Sequence, residues 1–271
     1  MPELPEVETT RRGLHPHVSG RRIAALTVYE PRLRWRVPDD LPAKLAGQRI
    51  TGTGRRAKYL LIELESGTLL LHLGMSGSLR VLPADTPRID HDHFDLLLES
   101  GRTLRFNDPR RFGSLHFTSG DPSLHPLLAR LAPEPFAREF DAEYLWRITR
   151  RRRTSIKQVL MNSRLVVGVG NIYASEALFR AKIRPRRRAQ NLSRQEAGRL
   201  AKAVRAVLSN AIRVGGTTLR DYVGVDGEPG YFRQKLYAYE RAGKKCRVCR
   251  TVIRQLTQQG RSTYYCPTCQ K

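Results

Sequence analysis

At roughly 150 residues per domain, a chain of 271 residues has room for about two domains, each with its own core. Its 49 Lys and Arg against 25 Asp and Glu leave a formal charge of +24. That charge excludes an ordinary metabolic enzyme and points to a polyanionic partner, nucleic acid before an anionic membrane. No apolar run reaches the roughly 18 residues that cross a bilayer, so neither a membrane span nor a membrane partner is expected.

The opening Met-Pro-Glu-Leu-Pro-Glu lacks the basic and apolar regions of a secretory signal. Short apolar runs follow at residues 23–29, 59–64, 68–73, 94–98 and 114–117, parted by Gly, Pro and Asp. Such spacing predicts a β-sandwich or barrel, not alternating βαβ units. Pro-rich sequence at 121–136 marks the connection to a second domain. Helices are expected at 141–148, at 155–161 and from Asn171 onward. Another begins at a Ser193–Glu196 capping box and buries Leu200, Val204, Val207, Leu208, Ala211 and Ile212. Gly215-Gly216 ends it, and the Gly-rich residues 224–230 read as a loop. Basic residues cluster at 147–153, 180–188 and 244–254. Three clusters in the helical half, with few acids to balance them, predict an extended phosphate-binding surface.

All four cysteines lie at the end of the chain, as Cys246-x2-Cys249 and Cys266-x2-Cys269 with sixteen residues between the pairs. That is the spacing of a zinc ribbon: x2 pairs form two tight turns whose thiolates converge on one tetrahedral ion. Four protein ligands close the coordination sphere, so one structural Zn2+ is expected, with a hairpin of 251–254 and 262–265 turning at Gln259-Gly260. Clustered cysteines also imply a reducing compartment, hence the cytoplasm.

At the amino terminus, Pro5 with Glu6 and Glu8 in the first turn is an ordinary helix start. Chemistry offers a second reading. Removal of Met1 would leave Pro2 as a free secondary amine. An α-amino group of pKa near 8 is about a tenth neutral at pH 7, against under about a thousandth for lysine. Its iminium adduct with an aldehyde carbon stays cationic and acts as an electron sink, and Glu3 is placed to move protons.

Pro2-Glu3-Leu4-Pro5-Glu6-Val7-Glu8, Lys58-Tyr59-Leu60, His72-Leu73-Gly74-Met75-Ser76-Gly77, Asn107-Asp108-Pro109-Arg110-Arg111-Phe112-Gly113, Gly168-Val169-Gly170-Asn171-Ile172-Tyr173 and the ribbon together resemble the bacterial formamidopyrimidine-DNA glycosylases. The likeness runs in order from Pro2 to the last cysteine pair. It implies a DNA glycosylase and abasic-site lyase that removes oxidised purines such as 8-oxoguanine. It also implies an α+β multidomain fold: a β-sandwich (2–132), a helix–two-turn–helix domain (133–235) and a zinc ribbon (236–271), with damaged duplex DNA in the cleft between. By the same resemblance Pro2 is the nucleophile, Glu3 a general acid and base, and Glu6 a support of the substrate pocket. Lys58 serves β-elimination and Arg261 δ-elimination. Met75, Arg110 and Phe112 fill the void left by the extruded base, Arg110 facing the orphaned partner, and His91, Arg153, Lys157 and Asn171 contact the DNA backbone. A monomer at the nucleoid is expected. Around 150–153 arginines stand where the family has lysines, which keeps the charge. Residues 217–231 are a candidate for gripping the damaged base.

Two other readings remain at this point. An endonuclease VIII-like enzyme would share the Pro2–Glu3 chemistry but prefer oxidised pyrimidines; Met75 and Arg110-Arg111-Phe112 argue against it. A non-catalytic zinc-ribbon protein fits the charge and cysteines but leaves Pro2, Glu3 and Lys58 without purpose.

Overall fold

A computed structural model describes residues 2–215 and 236–271. The expectations for 217–231 and 224–230 lie outside the described residues. The chain divides into two compact units, the first reaching Ala129 and the second holding Arg130–Arg213 with the C-terminal segment.

The first unit opens with helix α1 (Leu4–Val18), whose Leu4, Val7, Leu14 and Val18 are buried. Two four-stranded antiparallel sheets follow. One is ordered β1 (Ile23–Val28), β6 (Asp92–Leu98), β7 (Arg102–Asn107), β5 (Ser78–Pro83). The other runs β2 (Ile50–Arg56), β3 (Tyr59–Leu64), β4 (Gly67–His72), β8 (Ser114–Thr118). A five-residue helix α2 (Leu41–Leu45) precedes β2. Leu60 and Ile62 alternate inward on β3 and meet Leu69, Leu71, Leu79, Leu96, Leu104 and Phe106 in one core shared by both sheets. This is the expected sandwich.

Three strands, β2, β5 and β7, were not among those expected. Strand β2 reads Ile-Thr-Gly-Thr-Gly-Arg-Arg and shows little apolar pattern of its own. It is extended because β3 supplies its ladder, Thr53 opposite Ile62 and Arg55 opposite Leu60. In β7 the outward Arg105 breaks the apolar run, yet it is 2% exposed because Asp95 accepts both its Nε and Nη2 at 2.8 and 2.7 Å.

The second unit holds α3 (Ala142–Thr149), α4 (Ile156–Leu160), α5 (Asn171–Ala181) and α6 (Arg194–Arg213). Ser193 and Glu196 form the expected capping box: Glu196 Oε2 accepts the Ser193 N–H at 2.9 Å, and Ser193 Oγ accepts the Glu196 N–H at 3.2 Å. The hairpin of the ribbon is β9 (Arg254–Gln258) and β10 (Arg261–Tyr265). Its turn is Gln259-Gly260, both at positive φ (48° and 69°), which suits the twist of a two-residue hairpin. The first strand lies three residues later than expected. Residues 251–253 are spent on the cysteine turn instead: Thr251 O accepts the Cys246 N–H at 2.8 Å, and Ile253 donates to Lys244 O at 3.0 Å.

Candidate active site and nucleic-acid interface

The amino-terminal groups sit where α1 begins. Pro2 is buried, and Glu3 and Glu6 behind it are 1% and 0% exposed. Glu6 Oε2 accepts the Glu3 backbone N–H at 2.8 Å, so the two acids are held one turn apart on a rigid element. The helix start and the chemical reading of this segment are therefore compatible: the same capping geometry collects the carboxyls beside Pro2.

Lys58 lies in the tight turn between β2 and β3, where Ala57 takes φ 53°. Arg55 ties that turn to α1, donating to Ala57 O at 2.9 Å and to Glu8 Oε2 at 3.3 Å. Burial works to raise the Glu8 pKa, but hydrogen bonds from Arg11 and Arg12 and the charges of Arg11 and Arg55 outweigh it and hold the carboxyl down at about 2. A carboxyl depressed in the folded state stabilises it above the unfolded pKa, and that stability is lost as pH falls from about 4.5 to about 2. Glu8→Gln should therefore lower the melting temperature at pH 7 and leave it nearly unchanged near pH 2. An equal loss at both pH values would contradict the charge network.

His72, at the end of β4, is a neighbour of Lys58 that sequence reasoning did not single out. Its ring packs on Tyr59 at 4.8 Å between centroids. Burial, then the charges of Lys58 and Arg34, push its pKa down to about 4. Neutral at pH 7, it accepts the Gly74 N–H on Nδ1 at 2.9 Å, which leaves the proton on Nε2. The signal was its place at the head of the His72–Gly77 motif.

A second cluster is built around Asp108, which is fully buried. Its carboxylate accepts Ser76 Oγ at 2.7 Å, the Gly113 N–H at 2.8 Å and the Arg110 N–H at 3.3 Å. Its carbonyl accepts His93 Nε2–H at 2.7 Å, and its own N–H donates to His91 O at 3.0 Å. One residue thus joins three loops: its side chain ties the Met75 loop to the 108–113 turn, and its backbone holds the His91 turn. The loops are in backbone contact: a Cβ on Gly74, at φ +67°, would lie 2.5 Å from Gly113 N. On their outer side Met75 and Phe112 are 38% and 42% exposed, and Arg110 Cζ lies 4.9 Å from the Phe112 ring centroid. His91 is exposed at φ 71°, with Asp92 beside it accepting the Ile89 N–H at 2.9 Å. Asp92 is also bound to Arg80 and Asn107, which leaves it no metal-ligand role.

In the second unit Arg153 and Arg261 are exposed. Arg261 starts β10 and lines a cavity of about 340 Å³ together with Arg152, Thr154, Lys157 and Asn162. Lys157 departs from expectation. It is 2% exposed, and its Nζ donates to Asn171 Oδ1, to Thr263 Oγ1 at 2.7 Å and to Ser262 O at 3.1 Å. All three ammonium protons are used inside the protein, so Lys157 is not placed to contact DNA directly. Asn171, the first residue of α5, donates to Ser262 O at 3.0 Å. Lys157 therefore fixes Asn171 and the hairpin against each other.

The four cysteine Sγ atoms lie within 4.8 Å of one another. Pairs at 3.9 Å (Cys246–Cys269) and 3.4 Å (Cys249–Cys266) bracket the ~3.8 Å edge of a tetrahedron with Zn–S of about 2.3 Å. The Val248 and Cys269 N–H groups point at the Cys246 and Cys266 sulfurs at 3.4 Å, as thiolate ligands require. The donor set fits one structural zinc.

Three family models match in chain order: the formamidopyrimidine-DNA glycosylase N-terminal domain over 1–115, its H2TH domain over 131–223, and the zinc finger found in FPG and IleRS over 243–271. The chain is similar to the formamidopyrimidine-DNA glycosylase of Thioalkalivibrio sulfidiphilus, at 59% identity over 271 residues and 100% of both chains. Among solved structures it is similar to the MutM (Fpg) protein of Thermus thermophilus, with TM-score 0.89 and 42% identity over 99% and 98% of the two chains. It is also similar to a Lactococcus lactis Fpg variant in complex with Fapy-dG-containing DNA, with TM-score 0.93 and 34% identity over 100% of both.

Proposed function

The chain belongs to the formamidopyrimidine-DNA glycosylase family, enzymes of base-excision repair with abasic-site lyase activity, and from that premise we propose how its residues divide the work. The observation that carries the proposal is the pair of buried carboxyls, Glu3 and Glu6, behind Pro2 at the start of α1.

With Met1 removed, the Pro2 nitrogen attacks C1′ of a deoxyribose whose base has been turned out of the duplex. The C1′–N bond breaks, and the departing base takes a proton from solvent or from Glu3. Ring opening gives a cationic iminium at C1′. It draws electrons from C2′ as a proton leaves, and the 3′-phosphate departs by β-elimination. Lys58 and the neutral His72 lie by the backbone to stabilise that phosphate, and Glu6 holds Glu3 in place. Arg261 serves the second, δ, elimination. Hydrolysis of the iminium frees Pro2.

Extruding a base costs a few kcal/mol of unstacking, which a side-chain plug offsets. Met75 and Phe112 are apolar wedges of suitable reach, and Arg110 is a donor for the unpaired base. His91 and Arg153 contact flanking phosphates. The start of α5, with Asn171 fixed by Lys157, seats another. The zinc would be held by Cys246, Cys249, Cys266 and Cys269 and would supply folding of the ribbon, not chemistry. The working modules are 2–132, 133–235 and 236–271. Each chain carries every group the reaction needs, which favours a monomer on damaged duplex DNA, and reduced cysteines favour the cytoplasm at the nucleoid.

Duplexes carrying 8-oxoguanine opposite cytosine, or thymine glycol, separate this reading from a pyrimidine-directed one: the purine lesion should be excised at least tenfold faster, and the reverse order would overturn the choice. A sharper test addresses Asp108. Asp108→Asn leaves one buried partner unsatisfied, worth about 1–3 kcal/mol, or roughly fivefold to a hundredfold in excision from duplex. Cleavage of a single-stranded abasic site, which has no void to fill, should fall much less. Ser76→Ala should show the same bias more weakly. Equal losses on both substrates would rule out a positioning role.

A further inference from the structure

The cavity that Arg261 lines lies within the second unit, where α4 and the residues flanking it meet the ribbon hairpin, and most of its lining has no part in the scheme above. Its volume of about 340 Å³ falls at the lower end of the roughly 300–1,000 Å³ that small-molecule sites span.

The lining restricts the occupant. It holds no Asp or Glu, while Arg152 and Arg261 are both exposed cations, so a metal ion or an amine is disfavoured and an anion is favoured. Among the described residues the Arg152 side chain commits only Nε, to Ile148 O at 2.7 Å, and neither arginine has an Asp or Glu in an ion pair. Gln258 adds a second restriction. Its Nε2 donates to Ser155 Oγ at 3.0 Å, but its Oε1 is buried and accepts nothing. A buried carbonyl without a donor is disfavoured, and a ligand N–H relieves it. The third restriction is apolar. Met161 and Leu165, both half-buried, line the same space and offer a surface to a flat ring, against which a methionine thioether packs well.

A negative group for the arginines, an N–H for Gln258 and a flat ring face occur together in a nucleotide. In a duplex the ring N–H groups are paired and the faces stacked, so paired strands offer the cavity phosphate alone. A free nucleotide offers all three. We infer that this cavity binds a free nucleoside monophosphate, with the phosphate on Arg152 and Arg261, the base against Met161 and Leu165, and a base N–H donated to Gln258 Oε1. Arg261 cannot serve a bound nucleotide and a nicked strand at once. Occupation therefore suppresses δ-elimination and leaves the β-eliminated strand as the main product. That consequence, unlike the site itself, rests on the role given to Arg261.

Calorimetric titration of the zinc-loaded full chain with guanosine 5′-monophosphate, inorganic phosphate and guanosine tests the site. The nucleotide should bind at least about tenfold more tightly than either part, the scale of one hydrogen bond to a charged group. Gln258→Met keeps the side-chain length and removes the acceptor; it should weaken the nucleotide about fivefold to tenfold and leave phosphate unchanged. Met161→Trp fills the cavity and should abolish nucleotide binding, with the Kd for lesion duplex unaltered. Nucleotide binding no tighter than that of inorganic phosphate, or full nucleotide affinity in both variants, would overturn the site. On lesion duplex, saturating nucleotide should raise the ratio of β- to δ-eliminated product in wild type but not in Met161→Trp. Normal nucleotide binding with an unmoved product ratio would instead remove Arg261 from the δ step and leave the site in place.

Discussion

Borohydride added during turnover on an 8-oxoguanine duplex should convert the protein, with Met1 removed, into a stable covalent complex attached through Pro2. The hydride reduces the iminium to an amine that can no longer hydrolyse. Protein that keeps Met1, or whose amino terminus is acetylated, carries an amide nitrogen at this position with no basic lone pair. Both complex and strand cleavage should then fall by on the order of 10³-fold or more, the scale seen when a covalent nucleophile is removed from other enzymes. The α1 helix gives a clean control. Pro2 precedes its first residue, Leu4, and the Glu3–Glu6 hydrogen bond does not involve it, so blocking the nitrogen should leave melting behaviour alone. Undiminished nicking by a blocked preparation would remove Pro2 from the mechanism.

Zinc removal should have the second largest effect. The ribbon's own core is little more than Ala238, Cys246, Ile253 and Cys266 against Phe179 of α5, far too small to fold alone. Binding of structural zinc in isolated fingers is worth about 10–16 kcal/mol, so without it β9 and β10 should unfold. Lys157 then loses Ser262 O and Thr263 Oγ1, and Asn171 loses Ser262 O, so the phosphate seat at α5 loosens with the ribbon. Chelation, or Cys246→Ser, should weaken DNA binding by at least 100-fold and abolish cleavage. The sandwich core contains no ribbon residue and should survive. Trp35 lies in the first unit, and its emission should hold when zinc is removed. Full activity in protein verified to be zinc-free would contradict the account.

Much of the site is legible in the sequence, because its signals are local. A Cys-x2-Cys turn needs only four residues, a capping box also four, and the α6 stripe repeats within one helix. Pro2, Glu3 and Glu6 are likewise gathered by a single helix start. The misreadings share the opposite property. Strands β2 and β7 have weak patterns and become strands through partners elsewhere in the chain, Ile62 for Thr53 and Asp95 for Arg105. The first ribbon strand slipped by three residues because 251–253 pair back onto the cysteine turn.

Spacing, composition and motif order determined that this chain builds a sandwich, a helical unit and a metal-closed ribbon, and which family's chemistry it carries. Tertiary structure alone decided the state of individual polar groups. Lys157 looked like a surface cation, but its partners Ser262 and Thr263 come over a hundred residues later and draw it inward. Asp108 looked like one letter of a motif, but it binds three loops together. His72 is kept neutral by burial and by cations that the fold brings beside it. Covalent neighbours set helix starts and turns, whereas charge state and hydrogen-bond partners depend on which distant segments exclude water from a group.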